Sequence, residues 1–113
     1  MLSKNNRLRK DKDFEKVFKE GKFFSENFLS CKFTKNNLEA SRFGFLVGVK
    51  VSKKAVDRNK VKRRLRAIVR NLISSFKPSF DIVIMVRPVI KEKTFSEIQE
   101  TLKKLFIKSQ LLN

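Results

Sequence analysis

Apolar residues recur at helical spacing soon after the start of the chain. Two aspartates precede Phe14, Val17 and Phe18, and this i, i+3, i+4 spacing places three apolar side chains on one face of a helix. Acidic residues favour the N-terminal turn of a helix, and Gly21 suits its end. The pattern therefore predicts a short helix over about 11–20.

The following segments alternate between apolar and polar residues with a period of two, which is typical of strands. The segment 22–34 is predicted to be one strand, because the alternation is clear through its second half. The polar segment 35–41 is the predicted turn. Apolar residues at every second position over 43–49 predict another strand, with room for extra short strands before it. Gly44 and Gly48 share one face of that strand, which indicates close approach by a packed helix or by a ligand.

The second half of the chain predicts two more helices around a buried strand. Asp57 can cap a helix that extends to about Phe76. The segment 80–86 is almost entirely apolar and rich in β-branched residues, which fits a central strand buried on both faces. Thr94 and Glu97 have the spacing of a capping box, and an amphipathic helix follows them.

The predicted order of elements is α, β, β, α, β, α. This order indicates an α+β fold in which one mixed sheet and about three helices form a two-layer sandwich. A chain of 113 residues is expected to form one domain. Residues 1–9 carry cations without an apolar pattern, so we expect them to form a flexible basic arm.

The charge of the chain points to a polyanionic partner. Lysine and arginine number 28 against 11 aspartates and glutamates, which gives a formal net charge of +17. Like charge opposes the compact state unless a partner of opposite charge compensates it. Cations placed against phosphates also release condensed counterions, which drives binding without reading sequence. We therefore expect a nucleic-acid partner.

Residues that are few or missing disfavour several other classes of function. No apolar run approaches the ~20 residues of a membrane-spanning helix, and the N-terminus lacks the apolar part of a secretory signal. The single cysteine, Cys31, cannot form an internal disulfide, so we expect a cytoplasmic protein with no membrane partner. With no histidine and no second cysteine, neither a zinc site nor histidine-based acid–base catalysis is expected. We assign no catalytic and no metal-ligating residue.

The predicted helix over 57–76 has two contrasting faces. An apolar face would anchor the helix to the sheet, and it consists of Val61, Leu65, Ile68, Val69, Leu72 and Phe76. The opposite face holds Asn59, Lys62, Arg63, Arg66 and Arg70. No acidic residue lies between Arg58 and Arg70, so the repulsion among these cations is not relieved by the i, i+4 partners of a structural helix. A phosphate backbone would relieve it, since guanidinium groups bind phosphate through paired hydrogen bonds.

The order of residues around this helix adds a family resemblance. The segment 52–66 resembles the signature of the bacterial ribonuclease P protein subunit, which centres on an Arg-Asn pair followed by a basic, an aliphatic and two further basic residues. Arg58 and Asn59 are that pair here. Three other segments resemble the family's opening segment and its strand before the basic helix, namely 6–8, 13–18 and 42–49.

The resemblance implies a function and a division of labour. The family's protein binds a large catalytic RNA, expected here as one protein per RNA, and together they remove the 5′ leader from precursor tRNA. The RNA carries the chemistry with bound magnesium ions, and the protein alone is inactive. The family's fold also implies a left-handed crossover between parallel strands, whereas about 98% of such crossovers are right-handed.

The resemblance also assigns residues to two RNA contacts. The set expected to dock on the catalytic RNA is Lys50, Lys53, Lys54, Arg58, Asn59, Lys62, Arg63, Arg66 and Arg70. The cleft for the single-stranded leader would be formed by Phe14, Phe18, Cys31 and Lys32. Cys31 falls where the family often has a tyrosine, and this chain has none. Core packing would explain the two phenylalanines equally well, and partial exposure of both rings would favour the cleft.

Three alternatives remain open on the sequence. A ribosomal or other structural RNA-binding protein would share the composition and the basic helix, but it needs no groove for single-stranded RNA. A DNA-binding module is disfavoured because the helix offers little beyond Asn59 for pairing with adenine edges. A protein-only nuclease is disfavoured by the missing histidine and the scattered carboxylates.

Overall fold

Three helices and four strands make up the computed structural model, which describes residues 2–113. The helices are α1 (Asp11–Glu20), α2 (Ala55–Leu72) and α3 (Phe95–Lys108). The strands are β1 (Lys22–Glu26), β2 (Leu29–Lys35), β3 (Arg42–Leu46) and β4 (Phe80–Val86). Short 3-10 turns occupy Lys4–Asn6, Ile73–Ser75 and Pro88–Glu92. The predicted α+β fold with one mixed sheet and three helices is confirmed.

The sheet has the strand order β1-β2-β4-β3. β2 pairs with both neighbours in antiparallel fashion, while β3 and β4 are parallel. In that parallel pair, Phe43 lies opposite Ile82 and Leu46 opposite Met85. α2 forms the crossover between β3 and β4. The left hand of this crossover stays a prediction.

Helices cover both faces of the sheet. The sheet with α2 and α3 forms the two expected layers, and α1 forms an additional layer on the other face. The larger core lies between the sheet and the pair α2 and α3, with Leu65, Ile84 and Phe106 completely buried. A smaller cluster lies under α1 and contains Val17 and Val83. β4 contributes to both clusters, which explains why its residues are apolar at successive positions.

The predicted strand over 22–34 is wrong, because the chain forms a hairpin there. β1 and β2 pair in antiparallel register, with Glu26 opposite Leu29. Asn27 turns the chain with a φ of 55°, a left-handed conformation that asparagine tolerates better than most residues. The next residue, Phe28, is buried and resembles a strand residue, which hides the turn in the sequence.

The boundaries around α2 differ from the predicted ones. β3 ends at Leu46 rather than at Val49, because Met85 is its last partner on β4. α2 begins at Ala55, so the predicted capping role of Asp57 is wrong. Its carboxylate lies in the first turn, where Oδ2 accepts a hydrogen bond of 2.9 Å from Ser52 Oγ. The α-helix ends at Leu72, earlier than predicted, and a 3-10 turn follows.

The segment expected to be a flexible arm is instead packed along the edge of β3. Leu2 and Leu8 are buried. Leu8 N donates to Phe43 O at 2.9 Å, and Asn6 Nδ2 donates to Ser41 O at 2.8 Å. The apolar residues that anchor the segment are too far apart to give a period, so the sequence pattern missed them. Met1, also part of the predicted arm, lies outside the described residues.

Candidate nucleic-acid interface

The two faces predicted for the basic helix are present in α2. Val61, Leu65, Ile68 and Val69 are buried against the core. Leu72 is half-buried at the end of the helix. Phe76 lies beyond the helix but still belongs to the core, where its ring packs edge-on against Phe43 and Phe106 at 4.8 and 4.7 Å between centroids.

The outward side of α2 is cationic and has no carboxylate to neutralise it. Asn59, Arg63 and Arg70 are exposed, whereas Lys62 and Arg66 are half-buried. Throughout residues 2–113, no cation of α2 forms an ion pair, since the three pairs present involve Arg42 and Lys108. This side of α2 therefore offers charged donors to a polyanion.

Arg58 has a structural role that the sequence did not predict. Its Nη1 donates to the carbonyl oxygens of Ser52 and Lys53 at 2.9 and 3.0 Å. Lys54 N also donates to Ser52 Oγ at 3.2 Å. These bonds fasten the loop that enters α2. They leave the loop lysines Lys50, Lys53 and Lys54 exposed beside the cationic side of the helix.

Both predicted cleft aromatics lie at the surface between α1 and the sheet. The Phe14 ring is half-buried, and 37% of Phe18 is exposed. Partial exposure of both rings favours the cleft over simple core packing. Lys32 joins them, because its Nζ donates to Phe18 O at 2.9 Å and lies 6.0 Å from the Phe18 ring centroid.

Gly44 forms the floor beneath Phe14. A Cβ placed on Gly44 would lie 2.5 Å from Phe14 Cζ, so any larger residue would displace the ring. The close approach predicted for this glycine is confirmed, and the approaching group is an aromatic side chain of α1. Gly48 differs, because nothing lies within 4 Å of a Cβ placed there.

Phe23 is a further aromatic on this face that sequence reasoning missed. It lies opposite Lys32 across the β1–β2 pair, and the residue is 56% exposed. Side chains directly opposite in an antiparallel pair project from the same face of the sheet. The predicted single strand over 22–34 concealed this pairing, whereas recognising the hairpin would have revealed it.

The prediction that Cys31 lines the cleft is wrong. Adjacent residues of a strand project to opposite faces, so Cys31 lies on the other face from Lys32. Its side chain is completely buried in the core shared with α2 and α3. Burial raises the pKa of the Cys31 thiol to about 12. The residue is a core thiol and contributes no surface for RNA.

The raised pKa predicts a protected thiol. At pH 8 we expect the Cys31 thiol to react with a disulfide reagent at least about 100-fold more slowly in the folded protein than in denaturant, because the reactive thiolate is rare. The measurement is the rate of thiol labelling followed by absorbance. Equal rates in the two states would contradict this burial.

Arg42 ties α1 to the sheet near the cleft. Its Nε and Nη2 donate to the two carboxylate oxygens of buried Asp81 at 2.8 and 2.7 Å. Its Nη1 lies 3.4 Å from Asp13 Oδ2 on α1. The hydrogen bonds to Asp81 raise the pKa of the guanidinium, so this group stays charged. The predictions for the cleft did not include this network, because partners so far apart in sequence leave no local pattern.

Neither a metal-binding cluster nor a membrane-spanning helix is found within residues 2–113. No group of three or more carboxylate, cysteine or histidine side chains in this part of the chain is arranged to hold a metal ion. No helix there combines the length and the apolar character that crossing a membrane requires.

Comparisons with known proteins agree with this architecture. The chain matches the family described as Ribonuclease P over residues 2–110. A ribonuclease P protein component from Pseudanabaena sp. (strain PCC 6903) is 40% identical over 114 residues, covering 100% of this chain and 98% of the relative. Another from Clostridioides difficile (strain 630) is 40% identical over 99 residues, covering 87% of this chain and 86% of the relative.

Solved structures show the same fold. The RNase P protein of Staphylococcus aureus superimposes with a TM-score of 0.88 at 27% identity, covering 96% of this chain and 98% of that chain. The RNase P protein of Thermotoga maritima superimposes with a TM-score of 0.80 at 37% identity, covering 88% of this chain and 93% of that chain.

Proposed function

The chain belongs to the family of ribonuclease P protein components, and from this premise we propose that it is the protein subunit of ribonuclease P in the cytoplasm. In this role it binds one catalytic RNA through α2 and the 5′ leader of precursor tRNA through the cleft beside α1. It thereby assists the magnesium-dependent removal of the leader during tRNA maturation.

The observation that carries the proposal is the un-neutralised cationic side of α2. The buried leucine and isoleucine of the opposite side fix the helix to the sheet, so its cations are held in a constant arrangement. Each cation that meets a phosphate displaces condensed counterions, which contributes affinity without base recognition. The adjoining loop extends this surface through Lys50, Lys53 and Lys54.

The cleft suits an unpaired strand. Aromatic rings stack on bases at about 1–3 kcal/mol each with little sequence preference, which fits leaders of differing sequence. Phe18 and Phe23 are the exposed rings on this face, and the ammonium of Lys32 lies beside Phe18. The Arg42 network holds α1 on the sheet and so sets the separation of the cleft walls.

The chemical step is assigned to the RNA partner. When bound to that RNA, magnesium would activate the attacking water and stabilise the leaving oxygen. The chain has no histidine, the side chain most often used for proton transfer. The role of the protein's residues is therefore to position the RNA and the leader.

Reconstitution tests the proposal. The full chain alone should leave precursor tRNA uncut in magnesium. Addition of the cognate catalytic RNA should give leader removal at a lower magnesium concentration than the RNA needs by itself, because the protein supplies part of the positive charge. Cleavage is followed on gels as release of the leader. Cutting by the protein alone, or no lowering of the magnesium requirement, would refute the proposal.

A second arm of this experiment tests the cleft. Phe18→Ala should weaken precursor binding by about 1–3 kcal/mol when the leader is several nucleotides long. With a one-nucleotide leader the same variant should bind like the unmodified protein. Phe95→Ala is the matched control, because Phe95 has similar exposure at the start of α3 and does not belong to the cleft.

A further inference from the structure

A groove lies at the end of the sheet where β2 ends and β4 begins. Its volume is about 450 Å³, within the range of about 300–1,000 Å³ that ligand pockets have. The residues that follow α3, from Ser109 to Leu111, form one side. A hydrogen bond of 2.8 Å from Lys77 N to Leu111 O holds that side against the segment entering β4.

Aromatic rings line this groove. Phe24 and Phe33 are stacked, with 5.7 Å between centroids and an interplanar angle of 17°. Phe80 meets Phe33 edge-on at 5.6 Å. Phe24 and Phe80 are half-buried, so each leaves part of its ring available to a ligand. Such rings attract a planar, unpaired base.

Cations surround the rings. Lys22, Lys35 and Lys77 belong to three different segments and all line the groove. None of them forms an ion pair within residues 2–113. Glu20 is the single carboxylate among the lining residues, so the groove carries net positive charge. This charge complements phosphate and disfavours a neutral apolar ligand.

The groove is separate from both surfaces described above. It lies at the Phe80 end of β4, whereas the loop that enters α2 leaves the sheet beyond Leu46, near the other end of β4. Its rings belong to the core face with α2 and α3, whereas the cleft with Phe18 lies on the α1 face. A strand of RNA in the cleft would therefore leave the groove open.

We propose that this groove binds one unpaired nucleotide of an RNA strand. The base would stack on the exposed parts of Phe24 and Phe80, and the adjoining phosphates would contact Lys35 and Lys77. The groove would thus hold RNA independently of the leader cleft, whether or not the chain assists leader removal.

The test is a titration of the full chain with tetraadenylate, followed by backbone amide shifts in NMR spectra. We expect the amides of Thr34, Lys35 and Gln110 to shift together as the oligonucleotide binds. Lys35→Glu with Lys77→Glu should weaken this binding roughly tenfold, because two phosphate contacts become repulsive. Shifts at Phe18 and Lys32 report the cleft separately and should keep their unmodified midpoint.

The control is Lys103→Glu with Lys104→Glu, which makes the same change in net charge at exposed positions of α3 outside the groove. It should leave the groove affinity within about twofold. The absence of shifts at Thr34 and Gln110, or equal weakening by the control, would overturn the proposal. Binding of AMP as tight as that of tetraadenylate would assign the groove to a free nucleotide and would also overturn it.

Discussion

Arg63→Glu combined with Arg66→Glu is expected to weaken binding to the catalytic RNA by roughly 100-fold or more, since hydrogen bonds to charged groups contribute about 1.5–3 kcal/mol each. Both side chains lie on the outward side of α2 and form no ion pair in the described part of the chain. The logarithm of the binding constant should also fall less steeply with the logarithm of salt concentration, by about 0.7–0.9 for each lost phosphate contact.

The measurement is a filter-binding or fluorescence titration at several salt concentrations. Lys103→Glu with Lys104→Glu again serves as the control, because the change in total charge is equal. If the two double variants lost affinity equally, the effect would come from net charge alone, and α2 would not be the docking surface. Thermal unfolding should be nearly unchanged in the control, because Lys103 and Lys104 are exposed. The α2 variant should lose only about 0.5–1 kcal/mol, because the Arg66 guanidinium lies 5.9 Å from the Phe45 ring centroid and Arg66→Glu removes that contact.

Leu65→Ala is expected to lower the free energy of unfolding by about 2–5 kcal/mol, which is the usual cost of truncating a buried leucine. Leu65 is completely buried where α2 meets the sheet. Small domains are stable by only about 5–15 kcal/mol, so a considerable share of that stability would be lost. Chemical denaturation followed by circular dichroism measures the change.

Val56→Ala on the same helix is the control, because 71% of Val56 is exposed. Its cost should stay within about 0.5 kcal/mol. Comparable losses in the two variants would mean that α2 is not anchored by its apolar side. Addition of the catalytic RNA should recover part of the stability lost in Leu65→Ala, since a ligand that binds the folded state favours folding.

The sequence predicts elements best where burial is simple. β4 is predicted correctly because it is buried on both faces and is therefore apolar at every position except Asp81. α3 was recognised by its capping box, which is present as Thr94 and Glu97. The helical period of α1 and of α2 reflects the side of each helix that meets the sheet.

The predictions fail where the role of a residue differs from the one that its local sequence suggests. Phe28 is apolar although it lies in a turn, so the hairpin resembled one long strand. The family resemblance places Cys31 in the cleft, but Cys31 points into the core. Its neighbour Lys32 is the residue that points toward α1 and the cleft. Arg58 looked like a docking residue alone, yet it also fastens the loop before α2. The Arg58 bonds reach back only five and six residues, but they depend on the conformation of the loop, which the pattern of apolar and polar residues does not encode.

The N-terminal segment also has a protective consequence. β3 is an edge strand of the sheet. An uncovered edge strand exposes backbone donors and acceptors that can pair with another chain. The β-bridge between Arg7 and Phe43 and the hydrogen bond from Leu8 N to Phe43 O cover part of this edge. The same few residues thus block the β3 edge from pairing with a strand of another copy of the chain.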